Sequence, residues 1–152
     1  MRLTLLAVGR LRPAFREAAD DYRRRLRRFA TMAEAEVREA GKAATAEEGR
    51  RKEAARLRER APEGGYLVAL DRGGRAHSSS ELARRIGQWQ LLARPVVVLV
   101  GGSDGLDPGL LAECHEHWSL GPLTLPHELA RVVAYEQLYR GFTILRGERY
   151  HK

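Results

Sequence analysis

Short runs of apolar residues alternate along this chain with longer segments in which apolar positions recur every three or four residues. Three runs, Arg2–Gly9, Tyr66–Asp71 and Pro95–Val100, are largely apolar on both faces, as is typical of strands that helices cover on both sides. Weaker patterns predict a short strand over Met32–Val37 and a last strand over Leu123–Leu125. Because strands alternate with helices, the pattern predicts a three-layer α/β fold with a mostly parallel sheet.

Helix-start signals delimit four of the predicted helices. A proline at the first helical position and an Asp-Pro pair begin the segments Pro13–Phe29 and Asp107–His117. Capping boxes begin the segments Thr45–Ala61 and Ser78–Leu92. The pair Gly73-Gly74, which follows a predicted strand, predicts a turn.

The last helix has the clearest period. Its apolar residues mark one side, which we expect to face the core: Leu129, Val132, Val133, Leu138, Phe142 and Leu145. Glu136 and Arg140 are four residues apart, in the order that favours an ion pair on a helix. The aromatic Tyr150 near the chain end indicates a docked tail, because free tails are rarely aromatic.

Composition and charge limit the partners. A length of 152 residues predicts one domain, residues 1–152, and the single cysteine excludes an internal disulfide. The formal charge of +7 favours a polyanion, either nucleic acid or an anionic membrane surface. Arginines crowd one face of the first helix, where they either face solvent or contact phosphates: Arg23, Arg24, Arg25, Arg27 and Arg28. Without a signal-peptide pattern or a run of ~20 apolar residues, we expect a cytoplasmic protein that does not span a membrane.

Two loops carry the candidate chemistry. Gly101–Gly105 follows a buried strand, and Ser119–Pro126 holds no charged residue, so main chain and apolar walls could hold a ligand between them. The carboxyl ends of parallel strands are the usual ligand sites in such folds. The first loop lacks the lysine of a P-loop and the glycine spacing of the dinucleotide fingerprint. We expect no metal site, because His115 and His117 would point to different faces of the predicted helix.

Several motifs resemble the RlmH family, the ribosomal large-subunit RNA methyltransferases of the SPOUT superfamily. The resemblance covers the whole chain and rests on six segments: Leu6–Gly9, Gly101–Gly105, Leu123–His127, Arg131–Val133, Glu136–Arg140 and Tyr150–Lys152. It implies a homodimer and an α/β sheet whose C-terminal part forms a trefoil knot, whereas the pattern alone predicts an unknotted sheet. It also implies transfer of a methyl group from S-adenosylmethionine to N3 of a pseudouridine in 23S rRNA on the assembled ribosome.

The resemblance also implies which residues form the site. The cofactor-binding residues would be Leu70, Gly101, Leu120, Gly121, Pro122, Leu123, Thr124 and Leu125. Glycines let the main chain approach the cofactor, and the absence of lysine and arginine from both loops suits its positive sulfonium. Pro122 departs from the family pattern and lacks an N–H, so a hydrogen bond from that amide cannot form.

The implied substrate contacts lie on the last helix and the tail. His151 would touch the nucleotide, Tyr150 could stack on a base, and Arg140 would contact a phosphate or a base. Arg131 is a further candidate for a phosphate or base contact. We expect one of these groups, or a neighbour, to accept the N3 proton or to stabilise charge.

Two alternatives remain open on the residues alone. A Rossmann-like enzyme would bind a nucleotide at the glycine loop, and a non-catalytic module would bind RNA by charge alone. Binding of S-adenosylmethionine excludes the pure binding module, whereas binding of a dinucleotide would favour the Rossmann-like enzyme.

Overall fold

The computed structural model describes residues 1–43 and 45–152, and five strands alternate with five helices within them. The strands are β1 (Arg2–Val8), β2 (Thr31–Val37), β3 (Tyr66–Ala76), β4 (Val96–Val100) and β5 (Glu116–Ser119). The helices are α1 (Pro13–Leu26), α2 (Ala46–Arg60), α3 (Ser79–Gln90), α4 (Pro108–Glu113) and α5 (His127–Leu145).

All five strands are parallel and form one sheet in the order β2-β1-β4-β3-β5. Alternate residues of a strand enter opposite core clusters, so Leu5 and Ala7 pack on one face while Leu6 and Val8 pack on the other. The central strand β4 is buried along its whole length. The sheet therefore needs helices on both sides.

Helices α1, α3 and α5 cover one face of the sheet, and α2 and α4 cover the other. The predicted start signals are present: Ser78 and Glu81 form a capping box on α3, and the side chains of Thr45 and Asp107 accept backbone N–H groups on α2 and α4. The three-layer α/β prediction is confirmed. Within the described ranges, none of the helices combines the length and the apolar character that a bilayer crossing requires.

The prediction for the segment after Asp107 is wrong. Helix α4 ends at Glu113 instead of near His117. The helix ends early because of contacts with a strand that is distant in sequence. The His115 N–H donates to the Leu67 carbonyl at 2.9 Å, and β5 then pairs with β3 at the edge of the sheet.

The predicted strand Leu123–Leu125 is also wrong, because this segment is a loop. Gly121 has a φ of +115°, which turns the chain away from the sheet. Pro122 and Pro126 on either side lack the N–H groups that a strand ladder needs.

Gly73 and Gly74 form no turn, because β3 continues through them to Ala76. A Cβ on Gly74 would lie 2.5 Å from the carbonyl carbon of His117. This glycine therefore allows a close backbone approach between β3 and β5, where the register shifts.

The buried side of α5 differs in part from the predicted side. Leu138 and Phe142 are buried as expected, but Leu129, Val132 and Val133 are only half-buried and Leu145 is exposed. Polar residues take the buried positions near the start of the helix, notably Glu128 and Arg131. An apolar strip (Leu129, Val132 and Val133) consequently remains on the surface.

Candidate active site at the carboxyl edge of the sheet

A cavity of about 430 Å³ lies at the end of β4, beside Leu70, where β3 stops pairing with β4. Its walls include most of the predicted cofactor-binding residues: Leu70, Gly101, Leu120, Leu123, Thr124 and Leu125. The first turn of α5 closes one side with His127 and Ala130. The size is that of a small-molecule site, and the position is the one that parallel sheets favour for ligands.

The glycine loop is a tight turn. The Gly105 N–H donates to the Gly102 carbonyl at 3.0 Å, and Gly105 has a φ of +77°. A Cβ on Gly101 would lie 2.7 Å from the carbonyl carbon of Gly105. The loop's own backbone therefore requires glycine at position 101, in addition to any close approach to a ligand.

The second loop is held by short-range and cross-site contacts. Ser119 Oγ accepts the Gly121 N–H at 3.1 Å, and Arg72 donates from NH1 to Thr124 Oγ1 at 3.2 Å. Gly121 and Pro122 lie outside the cavity wall, whereas Leu123 is 75% exposed at the cavity. The Gly121 N–H is thus engaged by Ser119.

Charged groups outside the predicted set of cofactor-binding residues also line the cavity. Arg50 and Arg72 bring positive charge, and Asp71 and Asp104 bring negative charge. Asp71 and Arg72 could have been found, because they follow the end of the apolar run of β3 directly. Arg50 gave no such signal, since α2 reaches the cavity only through the tertiary fold.

Arg131 is buried in an ion network and does not face the cavity. Its NH2 lies 2.6 Å from Glu36 and 3.2 Å from Glu34, and its NH1 donates to the Gly9 carbonyl at 3.2 Å. Burial alone would raise the pKa of Glu34, but the Tyr135 hydroxyl and the Arg131 charge hold it below its usual value. The expectation that Arg131 contacts a phosphate or a base is therefore wrong: its charge is already used inside the fold.

The tail residues form a cluster of their own on α5. The predicted ion pair is confirmed, with Arg140 NH2 lying 2.6 Å from Glu136. The Tyr150 hydroxyl donates to the same carboxylate at 3.1 Å, the Arg140 guanidinium lies 4.7 Å from the Tyr150 ring centre, and His151 Nδ1 lies 3.2 Å from Arg140. Tyr150 is therefore docked, as its aromatic character predicted.

This cluster does not reach the cavity of its own chain. Ala130 lines the cavity, and Glu136 lies six residues further along α5, which is about 9 Å along the helix axis. Arg140, Tyr150 and His151 are absent from the cavity wall. The structure thus brings the three predicted substrate contacts together and separates them from the predicted cofactor residues.

His115, His117 and Cys114 have no part in the cavity. His115 Nδ1 accepts the Leu67 N–H at 3.0 Å, and His117 Nε2 lies 2.7 Å from the Leu111 carbonyl. Burial raises the pKa of Cys114 to about 11, which leaves it a poor nucleophile at neutral pH. In the described part of the chain, no three His, Cys, Asp or Glu side chains are grouped as a metal ion would need.

Comparison with known proteins identifies the family. The model of a family described as predicted SPOUT methyltransferase matches residues 1–151. Ribosomal RNA large subunit methyltransferase H of Rubrobacter xylanophilus is 49% identical, over 99% of this chain and 98% of the relative. The protein of the same name from Gemmatimonas aurantiaca is 42% identical over 100% of both chains.

Two solved structures share the fold at 13% identity. One is a probable methylase family protein from Haemophilus influenzae, with a TM-score of 0.56 over 99% of this chain and 70% of the other. The second is the SpoU methyltransferase AviRb from Streptomyces viridochromogenes in complex with AdoMet, with a TM-score of 0.50 over 97% of this chain and 59% of the other. The chain belongs to the SPOUT methyltransferase family, and its full-length relatives are ribosomal RNA large subunit methyltransferases H.

Proposed function

We propose that this protein transfers a methyl group from S-adenosylmethionine to N3 of a pseudouridine in 23S rRNA on the assembled ribosome. The observation that carries the proposal is the cavity between the glycine loop and residues 120–125, in a chain of this family. Residues 1–152 would act as one catalytic domain, in the cytoplasm where ribosomes are.

The cavity residues fit this cofactor. The walls combine apolar side chains with exposed main chain, which can bind an adenine edge without side-chain donors. Arg50 or Arg72 could pair with the cofactor carboxylate, and Asp71 or Asp104 with its ammonium group. Neither loop itself contributes a cation that would repel the sulfonium.

S-adenosylmethionine supplies an electrophilic methyl group, and the protein has to position the acceptor nitrogen in line with it. The loops 101–105 and 120–125 would orient the cofactor from opposite sides of the cavity. The N3 proton must also leave, since a protonated imide nitrogen is a poor nucleophile. Asp71, Asp104 and His127 line the cavity and are the groups in its wall that can accept a proton.

The separation between cavity and tail supports a homodimer. The apolar strip on α5 (Leu129, Val132 and Val133) is half-buried in one chain and begins beside the cavity. Packing a second copy against this strip would bury it and would bring the tail cluster of one copy towards the cavity of the other. The three tail residues Arg140, Tyr150 and His151 would then bind the nucleotide in a site shared by two chains.

Family membership also leads us to propose the trefoil knot in the C-terminal part. The supporting feature is the path of residues 120–126. After β5 at the edge of the sheet, the chain returns to the end of β4 and to Leu70 of β3 and lines the same cavity as the glycine loop before α5 begins.

Methylation of purified ribosomes tests the proposed function. The protein is incubated with ribosomes and cofactor labelled in the methyl group, and the labelled nucleotide is mapped in 23S rRNA. One labelled pseudouridine is expected. The proposal fails if calorimetry shows cofactor binding but no label enters 23S rRNA, or if the protein binds a dinucleotide in preference to S-adenosylmethionine.

A further inference from the structure

The arginines at the end of α1 and directly after it mostly have carboxylate partners, many of them at the surface. Of the five (Arg23, Arg24, Arg25, Arg27 and Arg28), four have a carboxylate within 3.5 Å: Arg23 with Glu34, Arg24 and Arg25 with Asp21, and Arg28 with Glu148. Such pairs lower the local positive potential that a phosphate would meet. The most arginine-rich stretch of the sequence therefore carries less unpaired positive charge than its composition indicates.

A groove on the opposite side of the sheet has the reverse character. It has a volume of about 460 Å³ and is lined by Val37, Arg38, Arg56, Glu59 and Arg60. Arg56 donates from NH1 to the carbonyls of Arg38 and Glu39 at 2.8 and 2.7 Å, so its guanidinium is fixed there by main chain. The groove thus holds three cations and one carboxylate.

Two of the three cations in this groove are exposed and have no carboxylate partner among the described residues. Arg38 and Arg60 are exposed, and neither forms an ion pair with any residue in the ranges 1–43 and 45–152. Arg51, which is on the same helix as Arg60, is different, because it pairs with Glu47 at 2.8 Å. Unpaired arginines around a concave surface are suited to phosphate groups.

The groove and the candidate active site are both lined by residues of α2. Arg50 lines the cofactor cavity, and Arg56 follows six residues later on α2, about 9 Å along its axis. A nucleic acid strand of several nucleotides is long enough to place its target base in the cavity and a flanking phosphate in the groove.

We propose that the groove formed by Arg38, Arg56 and Arg60 binds the phosphate backbone of the rRNA substrate beside the target nucleotide. The identity of the polyanion rests on the proposed function. RNA is favoured over an anionic membrane because α2 presents no large apolar residue to insert: its one large apolar side chain, Leu57, is 1% exposed.

Two variants of equal net charge test the groove. Arg38→Gln with Arg60→Gln removes two unpaired charges, and Arg24→Gln with Arg51→Gln removes two exposed charges that have carboxylate partners. Sedimentation with purified ribosomes measures the binding constant of each protein between about 50 and about 200 mM salt. Unchanged thermal unfolding and S-adenosylmethionine affinity establish that each variant is folded.

Loss of two phosphate contacts should reduce the slope of log K against log salt by about 1.4, which is about 25-fold weaker binding at about 0.1 M salt. The control pair should keep the wild-type slope. Equal weakening of ribosome binding by the two double variants would refute phosphate binding in the groove. Preferential binding of the wild type to vesicles of anionic lipid would refute it as well.

Methyl transfer to the same ribosomes is measured in parallel, so that the two failures can be distinguished. If ribosome binding depends on Arg38 and Arg60 but no methyl group is transferred, the proposed function is refuted and phosphate binding in the groove is supported. Methyl transfer by a wild type whose binding is insensitive to Arg38 and Arg60 would refute the groove alone.

Discussion

Replacing Arg131 by methionine should lower the free energy of unfolding much more than a typical substitution on a surface helix does. The Arg131 side chain is 3% exposed and contacts Glu34, which is 5% exposed, and Glu36. Removing one partner of a buried ion pair costs about 3 to 5 kcal/mol, because a buried charge is left uncompensated. Arg16 remains 2.7 Å from Glu34 and offsets part of this, so we expect a loss of about 3 kcal/mol.

Urea unfolding followed by tryptophan fluorescence measures this loss, since Trp89 and Trp118 are each 2% exposed in the folded protein. A loss of about 3 kcal/mol corresponds to a decrease of about 9 °C in Tm for a chain of this size. The matched control is Arg51→Met, whose pair with Glu47 is exposed and should contribute about 0.5 kcal/mol or less. Equal effects of the two substitutions would refute the buried network.

The stability difference between wild type and Arg131→Met should depend on pH with a defined sign. The pKa of Glu34 is lowered in the folded state, so its contribution is fully present above its unfolded pKa of about 4.3. That contribution is lost as the pH falls through the lower folded value. The stability difference between wild type and Arg131→Met should therefore shrink below about pH 4, and a difference that grows on acidification would contradict the assignment.

Three further predictions concern the site and the thiol. Deleting Tyr150–Lys152 should abolish methylation of ribosomes and leave calorimetric S-adenosylmethionine affinity nearly unchanged, because the tail lies outside the cavity wall; full activity would refute the tail's role. Gly101→Val should lower cofactor affinity and the free energy of unfolding together, because its Cβ meets Gly105; unchanged values of both would contradict the loop geometry. Cys114 should react with a disulfide reagent at pH 8 about 20-fold more slowly than a free cysteine, because its pKa of about 11 leaves little thiolate and the greater nucleophilicity of a more basic thiolate offsets only part of that loss; a rate near that of free cysteine would contradict its burial.

Strands and helix starts could be predicted because their signals are local. The run Val96–Val100 is apolar at every position and is buried at every position, and the Ser78 capping box is present as expected. The strand β5 could not be predicted in the same way. Its sequence, Glu116–Ser119, contains a carboxylate and an imidazole, and it is a strand because β3 offers its free edge.

The candidate site likewise contains parts that local sequence signals predict and parts that only the tertiary structure defines. The two loops were predicted from glycines and from an uncharged stretch, and both line the cavity. Arg50 could not be predicted, because α2 reaches the cavity only through the tertiary fold. The groove around Arg38 could not be predicted either, because it is defined by which arginines have no carboxylate nearby. The density of arginine along the sequence indicated α1, but pairing in three dimensions leaves free charge on α2 instead.

The rotation of α5 follows from the same electrostatics. The hydrophobic period alone predicts that Leu129, Val132 and Val133 face the core. In the structure, Glu128 instead accepts the Arg12 N–H at 2.7 Å. Arg131 donates to the Gly9 carbonyl and pairs with Glu36. A buried ion left without its partner costs more than the exposure of a few methyl groups, so the polar residues determine which side is buried. The half-buried apolar strip is therefore a consequence of holding α5 against the β1–α1 loop, and the same rotation leaves part of it at the surface, where a second copy can cover it.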